Sequence, residues 1–454
     1  MIQIISSFRK LILAAGDFVL LYLALFLVLT ARYGDNFDSY MWSEHMRLFL
    51  PIFAVWILIF YLFNLYEGKS FQNSHRFYLN SAKAIFTAVV LTVIFLYLAI
   101  TSSLTPQIAP KTNLVLTAVF YSVFFFAWRY ACNLFFRSNR FLNNTIFIGV
   151  NKEARDIINI LSEHPQLGYK IIRVFDYNEV LNIDILKVAR EFNIHTIVHS
   201  NQHQSESEKQ IISKMLYNLI PLGVGIVELS KFYAEITKKI PISIIGETWF
   251  LENLIETEKK PYETGKRTLD ILLAILLTTV FLPFAPLIAL AIIIDSRGGA
   301  FYTQTRIGKN GKVFSLLKFR TMVKNAEAHG ARWTSASDAR VTRVGRFLRK
   351  SRIDELPQLW NVIKGDMSFA GPRPERPEFV GTLEKAIPYY QMRHLVRPGL
   401  TGWAQINQPH GGASVEDSLE KLQYDLYYIK NRDLILDLDV ILKTIPVVLK
   451  REGH

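Results

Sequence analysis

Four apolar runs, roughly 11–31, 48–66, 82–101 and 114–136, crowd the first third of the chain and leave it few folds. A bilayer core needs about 20 apolar residues per helix, and it tolerates only backbone that satisfies its own hydrogen bonds. The runs therefore predict a four-helix membrane unit. Flanking charge sets its orientation. Arg9 and Lys10 precede the first run, Lys69, Arg76 and Lys83 fall between the second and third, and Arg129, Arg137 and Arg140 close the fourth. The other two loops carry Asp35, Asp38 and Glu44, or almost no charge. An excess of Lys and Arg marks the cytoplasmic side, so both ends of the unit are expected there. The first run continues to spanning length and lacks a small-residue cleavage site, which reads against a cleavable leader. Half of all residues are hydrophobic and mean hydropathy is +0.19, too apolar for a simple soluble protein.

A fifth apolar stretch, 271–294, differs in kind. Pro283 and Pro286 sit near its middle, where each removes a backbone donor and crowds the preceding turn. Both flanks are basic, with Lys266 and Arg267 before it and Arg297, Arg306 and Lys309 after it. A helix that enters the membrane, breaks at the prolines and returns to the same face meets both facts. The alternative is a kinked fifth span, which would place everything downstream on the outer side.

Between these membrane segments the pattern changes. Short apolar runs at 145–150, 170–175, 195–199 and 224–229 read as strands, alternating with helices near 154–161, 185–192 and 208–219. Such alternation builds a parallel, Rossmann-like sheet. The phosphate fingerprint is missing, because Gly149 is followed by Val150-Asn151-Lys152 with no further glycine. Asp176 stands where a ribose-binding acid could, but it stands alone, and a structural or regulatory role is expected. His195, His199 and His203 recur every four residues. On a strand that spacing does not make a metal site. The single cysteine, Cys132, lies in an apolar run and excludes a disulfide framework or thiolate metal site.

The last third holds the charge. Residues 266–454 carry 28 Lys+Arg against 18 Asp+Glu, ten of the chain's net +13. Beside a bilayer such a face favours anionic headgroups, polyprenyl phosphates or nucleotide diphosphates; nucleic acid is not expected. Runs at 302–307 and 313–319 flank Gly308-Lys309-Asn310-Gly311, a hairpin signal. This hairpin carries Gln304 and Arg306 on one arm and leads into Lys318-Phe319-Arg320-Thr321-Met322. Arg340, Arg343, Arg346 and Arg349 follow at spacings of three, predicting one basic helical face opposite Val341, Val344 and Leu348. They lead straight into Asp354-Glu355, and Ser368 to Pro374 adds Arg373 in a Pro-Arg-Pro turn. Adjacent carboxylates ringed by guanidinium groups suit attack on a diphosphate, whose charge repels an anionic nucleophile until cations neutralise it. The bland reading of Asp354-Glu355 is a helix cap ahead of Leu356-Pro357. Segments 415–430 and 434–450 read as amphipathic helices that lie on the membrane or close the core.

Several strings of this last third, in order, resemble the bacterial sugar transferases, the polyprenyl-phosphate hexose-1-phosphate transferases. They are Lys318 to Met322, Asp354 to Val362, Gly365-Asp366-Met367-Ser368, Gly371 to Pro374, Arg397-Pro398-Gly399-Leu400-Thr401-Gly402-Trp403-Ala404-Gln405 and Tyr424-Asp425-Leu426-Tyr427-Tyr428. The four-span unit with a Rossmann-like domain resembles the family's large form. Two departures stand out. Arg352 sits where many members have a small hydroxyl residue, and Ala370 where valine is common.

The resemblance implies a membrane protein of α plus α/β class: a four-helix transmembrane unit (1–140), a Rossmann-like cytosolic domain (141–262), and a re-entrant helix with an α+β catalytic domain (263–454). It implies transfer of a sugar 1-phosphate from a UDP-sugar to undecaprenyl phosphate with release of UMP, the first step of exopolysaccharide, capsule or O-antigen assembly. Asp354 would be the nucleophile, forming a phosphosugar–aspartyl intermediate, with Glu355 its partner near Mg²⁺. Lys318, Arg320, Arg349, Arg373 and Gln405 would bind phosphate or nucleotide, with Gln304, Arg306 and Asp437 as lesser candidates. The expected location is the bacterial inner membrane, multi-pass, with the catalytic domain facing the cytoplasm. Expected partners are the two substrates, the membrane, polysaccharide assembly proteins and, in a homodimer, a second copy of the chain. Two rivals stay open: a membrane glycosyltransferase that releases UDP, and a non-catalytic scaffold of an assembly complex. Against the first, the Asp-x-Asp string Asp437-Leu438-Asp439 falls in a predicted amphipathic helix. No motif names the sugar.

Overall fold

The computed structural model describes residues 2–67, 74–101, 110–137, 142–200, 206–254, 259–324, 326, 338–408, 412 and 414–449. The chain forms two compact units, Met1–Glu235 and Ile236–His454.

The first unit opens with helices α1 (Ile2–Tyr33), α2 (Ser39–Leu62), α3 (His75–Thr101) and α4 (Pro110–Arg137). All four are long and apolar enough to cross a membrane. Their shared core is aromatic, with Phe49, Phe53, Trp56, Phe60, Tyr121 and Phe125 fully buried. A buried ion pair threads it: Arg129 of α4 donates to Asp17 of α1 at 2.6 Å, and the Tyr66 hydroxyl donates to the same carboxylate at 2.9 Å. Charged groups inside a membrane segment face the bundle interior and pair, since hydrocarbon offers no alternative. Arg129 is therefore not a flanking charge, which corrects its use in the orientation argument; Arg140 lies outside the described residues.

Strands β1 (Asn143–Ile148), β2 (Tyr169–Phe175), β3 (Thr196–His199) and β4 (Gly225–Glu228) then form a wholly parallel sheet of order β2-β1-β3-β4. Helices α5 (Lys152–Glu163), α6 (Tyr177–Val180), α7 (Ile185–Glu191), α8 (Glu206–Tyr217) and α9 (Leu229–Thr237) accompany it. Asn151 caps α5 by accepting from Ala154 N–H at 2.8 Å, and the helix buries Ala154, Ile157 and Leu161 at a helical repeat. A ligand of such a sheet would lie beyond the strand ends where β1 and β3 diverge. Gly149 ends β1 with φ +84°, and the Tyr177 ring lies where a Cβ on Gly149 would point. The Tyr177 hydroxyl closes on the Ser200 carbonyl just after β3. The crevice is filled by the chain's own side chain, a physical counterpart to the missing glycines. Asp176 is the N-cap residue of α6, and its N–H donates to Glu179 at 3.2 Å. His195 and His199 bracket β3, and His203 lies outside the described residues.

The second unit begins with α10 (Glu247–Asn253) and a bent helix pair, α11 (Lys260–Phe281) and α12 (Ala285–Asp295), set at 64°. Pro283 occupies the break, while Pro286 sits in the first turn of α12, where no N–H partner is required. Side chains outside the pair's few core contacts remain bare, with Leu272, Val280, Leu282 and Leu287 each more than 60% exposed. The antiparallel hairpin β5 (Phe301–Ile307) and β6 (Val313–Phe319) follows, with Tyr302 opposite Lys318. Then come α13 (Arg343–Ser351), α14 (Leu359–Lys364), β7 (Ser368–Ala370), α15 (Pro377–Ala386), β8 (Gly399–Thr401), α16 (Trp403–Asn407), α17 (Val415–Asn431) and α18 (Leu434–Leu449). Strands β7 and β8 pair in parallel, Ser368 with Gly399 and Ala370 with Thr401.

Both limbs of the bent pair are tied into this unit. On α11, Arg267 donates to the Val362 and Ile363 carbonyls (2.5 and 2.7 Å), and Asp270 accepts from Phe369 N–H at 3.0 Å. After α12, Arg320 donates to the Ser296 carbonyl at 2.5 Å, and Asp295 accepts from Val344 N–H at 2.9 Å. Asn361 ties α14 to β6 by accepting from Leu317 N–H (3.0 Å) and donating to the Ser315 carbonyl (2.8 Å).

Candidate active site

The arginine ladder divides. Thr342 accepts from Gly345 N–H at 3.0 Å and caps α13, so the helix starts after Arg340. Arg340 instead grips Asp338 with its guanidinium (2.6–3.1 Å), and Val341 bridges to Met322. This corrects the expected single face of four arginines: the cap, unlike the spacing, decides where the helix begins. Arg343 and Arg346 are exposed, whereas Arg349 turns inward and donates from Nε to Thr321 Oγ1 at 2.8 Å. That approach needs Gly345, since a Cβ there would meet the Thr321 backbone.

Helix α13 ends at Arg352 with φ +59°, a left-handed conformation uncommon outside glycine. The turn feeds a 3₁₀ segment, Ile353–Gln358, that carries both carboxylates inward. Asp354 and Glu355 are 7% and 9% exposed. Glu355 Oε1 gathers three cations: Arg373 Nη2 at 2.7 Å, Lys318 Nζ at 3.2 Å and Arg352 Nη1 at 3.6 Å. Buried charges persist when paired and hydrogen-bonded in this way. Asp354 is treated differently. Its Oδ1 is buried and accepts no hydrogen bond from the described residues.

Charge regulation follows. Burial, then the Glu355 charge, raises the Asp354 carboxyl to about 6 against the pull of Lys318, Arg349 and Arg352. Glu355 stays well below the usual range: burial opposes it, but Arg373 and Lys318 outweigh burial. Burial lowers Lys318, partly offset by Glu355, and Glu355 raises Arg373 further. Near neutral pH the site holds two adjacent anions under a surplus of cations, and one oxygen is free to act.

The Pro-Arg-Pro turn is clamped from behind. Arg393 donates to the Arg373 carbonyl at 3.1 Å and is paired with Asp425 at 2.9 Å. Arg306 donates to the Pro374 carbonyl at 3.0 Å and to Gln304 Oε1 at 2.6 Å. Gln304 and Arg306 thus order the turn.

The structure draws Lys318, Arg349 and Arg373 around Asp354 and Glu355. It uses other candidates elsewhere. Arg320 holds the end of α12 through Ser296, and Asp437 accepts from Tyr262, Lys266 and Tyr428 at the junction of α11, α17 and α18. Gln405 sits on α16 with its Oε1 buried and unpartnered. The sequence reading missed Arg352 as the third cation on Glu355, Asn361 as the brace under α14, and the Asp425–Arg393 clamp. The odd residue at 352 and the Tyr424 to Tyr428 string were the available signals.

For Mg²⁺, the described residues hold no group of three or more His, Cys, Asp or Glu side chains. The bare Asp354 Oδ1 beside Glu355 fits an ion that takes one or two carboxylates and completes its shell with phosphate oxygens and water.

Residues 261–451 match the family model described as bacterial sugar transferase. The chain is 47% identical over 193 residues to the UDP-N-acetylgalactosamine-undecaprenyl-phosphate N-acetylgalactosaminephosphotransferase of Aeromonas hydrophila, covering 42% of this chain and 45% of that protein. It is 43% identical over 321 residues to the undecaprenyl-phosphate glucose phosphotransferase of Komagataeibacter xylinus, covering 68% and 59%. It is 44% identical over 189 residues to the UDP-glucose:undecaprenyl-phosphate glucose-1-phosphate transferase of Caulobacter vibrioides, covering 41% and 71%. The match thus spans about half the length of the first two relatives.

Proposed function

The chain belongs to the bacterial sugar transferase family, and from that membership we propose that it transfers a sugar 1-phosphate from a UDP-sugar to undecaprenyl phosphate, releasing UMP. The observation that carries this reading is the unpartnered Oδ1 of Asp354 beside a carboxylate holding three cations. In the first step an Asp354 oxygen attacks the β-phosphorus, the bond from that phosphorus to the bridging oxygen breaks, and UMP leaves with the electron pair. The phosphosugar is then an acyl phosphate on Asp354. In the second step an oxygen of undecaprenyl phosphate attacks the same phosphorus, frees the carboxylate and gives the lipid diphosphate sugar. Arg373, Lys318 and Arg349 offset the charge of the entering diphosphate, and Glu355 keeps the first two in place. Asp354 and Glu355 would hold Mg²⁺, which supplies Lewis-acid neutralisation of the phosphates when bound.

We read α11 and α12 as a re-entrant pair. Supporting this are the break at Pro283 and the anchoring of both limbs to the same unit, α11 on the Val362 and Ile363 carbonyls and the end of α12 through Arg320. With that topology, and with both ends of the four-helix unit on the cytoplasmic side of the inner membrane, the site faces the cytosol and its nucleotide-sugar pool.

The test is nucleotide release from purified protein given undecaprenyl phosphate, Mg²⁺ and a panel of UDP-N-acetylgalactosamine, UDP-glucose and UDP-galactose. Expected is UMP release with one donor, reduced about a thousandfold or more in Asp354→Asn. UDP release would sink the mechanism, and undiminished UMP release from the mutant would remove Asp354 from its role.

A further inference from the structure

A second basic site lies away from Asp354. A cavity of about 640 Å³ is lined by Lys260, Glu263, Thr264, Arg267 and Thr268 of α11, Lys309 of the hairpin turn, and Arg397 ahead of β8. The α11 residues cover two polar turns, about 12 Å of helix, before the apolar stretch begins. Lys318 lies five residues along β6 from Val313 at the turn, about 17 Å at the rise of a strand. The two basic sites are thus at different ends of the hairpin.

Four cations face one carboxylate here, and two are fixed in advance. Arg267 is locked by the Val362 and Ile363 carbonyls, and Arg397 is 3.6 Å from Glu263. Glu263 is shared with Arg432 at 3.3 Å, so its charge is already divided. Lys260 and Lys309 have no ion-pair partner among the described residues. The Thr264 and Thr268 hydroxyls donate to carbonyls one turn back (3.2 and 3.1 Å), which leaves anion recognition to the cations. Two preset guanidinium groups and two free ammonium groups around one cavity match a multiply charged phosphate.

We infer that this cavity binds a phosphate-bearing anion, at a site separate from the Asp354–Glu355 cluster. The phosphate can arrive on a soluble molecule or as the headgroup of an anionic lipid, since α11 runs from the cavity into its apolar stretch. The inference does not depend on the proposed transfer reaction.

The experiment uses the full chain in nanodiscs, in an Arg373→Ala background so that binding at the Glu355 cluster is suppressed. Inorganic pyrophosphate is titrated in phosphatidylcholine discs, and phosphatidylglycerol enrichment is measured in mixed-lipid discs, each with and without K260A/K309A. Thermal unfolding of the double variant checks that the fold is retained. Pyrophosphate binding weakened about tenfold or more by the double variant supports a soluble phosphate ligand. No pyrophosphate binding, with phosphatidylglycerol enrichment lost in the double variant, supports a lipid headgroup. If neither measurement responds to the two lysines, the site is refuted.

Discussion

Asp437 and Asp354 are both buried acids of the C-terminal unit, 1% and 7% exposed, and the fold treats their oxygens in opposite ways. Asp437 Oδ1 accepts from the Tyr428 hydroxyl at 2.6 Å, and its Oδ2 accepts from Lys266 at 2.7 Å and Tyr262 at 2.8 Å. Tyr428 and Lys266 also meet at 3.2 Å, so three helices converge on one satisfied carboxylate. Asp354 has cations nearby but an oxygen with no donor. A filled set of lone pairs holds structure together, whereas a bare buried oxygen costs stability. Saturation alone does not mark the site, since the anchoring acids Asp17 and Asp270 each keep one bare buried oxygen too. What sets Asp354 apart is a bare oxygen next to a carboxylate that holds three cations.

The largest expected effect breaks the comparison directly. Asp437→Asn leaves the Lys266 charge buried without its counter-ion and is expected to cost about 3–5 kcal/mol. Asp354→Asn is expected to act with the opposite sign. The folded Asp354 value, about 6, lies above the ordinary carboxyl value of 3.8, so between these the folded state binds more protons than the unfolded state. Stability is therefore lost as pH rises through that window, by about 2–3 kcal/mol in all, and a neutral amide escapes the loss. Chemical denaturation of both variants at pH 7 checks the pair. Equal destabilisation would erase the distinction.

Next in size is Arg373→Ala. The cation nearest Glu355 is expected to be worth about a hundredfold in kcat/KM, with Arg373→Lys recovering little because a point charge replaces a planar fork. Steady-state UMP release checks it, and a change below threefold would assign Arg373 to structure. The smallest effect is on pH. Below about pH 6 the rate is expected to fall about tenfold per unit as Asp354 protonates. Glu355→Gln is expected to move that limb to lower pH, because the Glu355 charge raises its neighbour. A limb that stays put would mean that burial alone sets the value.

Much of the fold was legible from periodicity. The four apolar helices, the strand–helix alternation, the Asn310-Gly311 hairpin and the break near Pro283 each rest on local pattern. The structure places the strands and hairpin within a few residues, whereas α1, α2 and α3 begin seven to nine residues before the apolar runs that announced them. The paired strands β7 and β8 were not legible. Each is three residues long and joins segments about 30 apart, so no local repeat announces them. Arg129 was read as a flank because an arginine near a helix end normally is one. Its burial against Asp17 depends on how α1 meets α4, and neither helix carries that information alone.

For the site, the sequence by itself determined the inventory: two adjacent carboxylates, a surplus of cations in order along the last third, and the apolar stretch before them. Chemistry of that kind follows from residue type and proximity along the chain. Only the tertiary structure decided the allotment. It gave Glu355 three cations and Asp354 none in direct hydrogen bond. It sent Arg320 and Asp437 to hold helices, and it bent Arg352 inward from a left-handed turn. The reason is that a charge's role depends on which partners share its low-dielectric surroundings, and long-range packing alone assembles those partners.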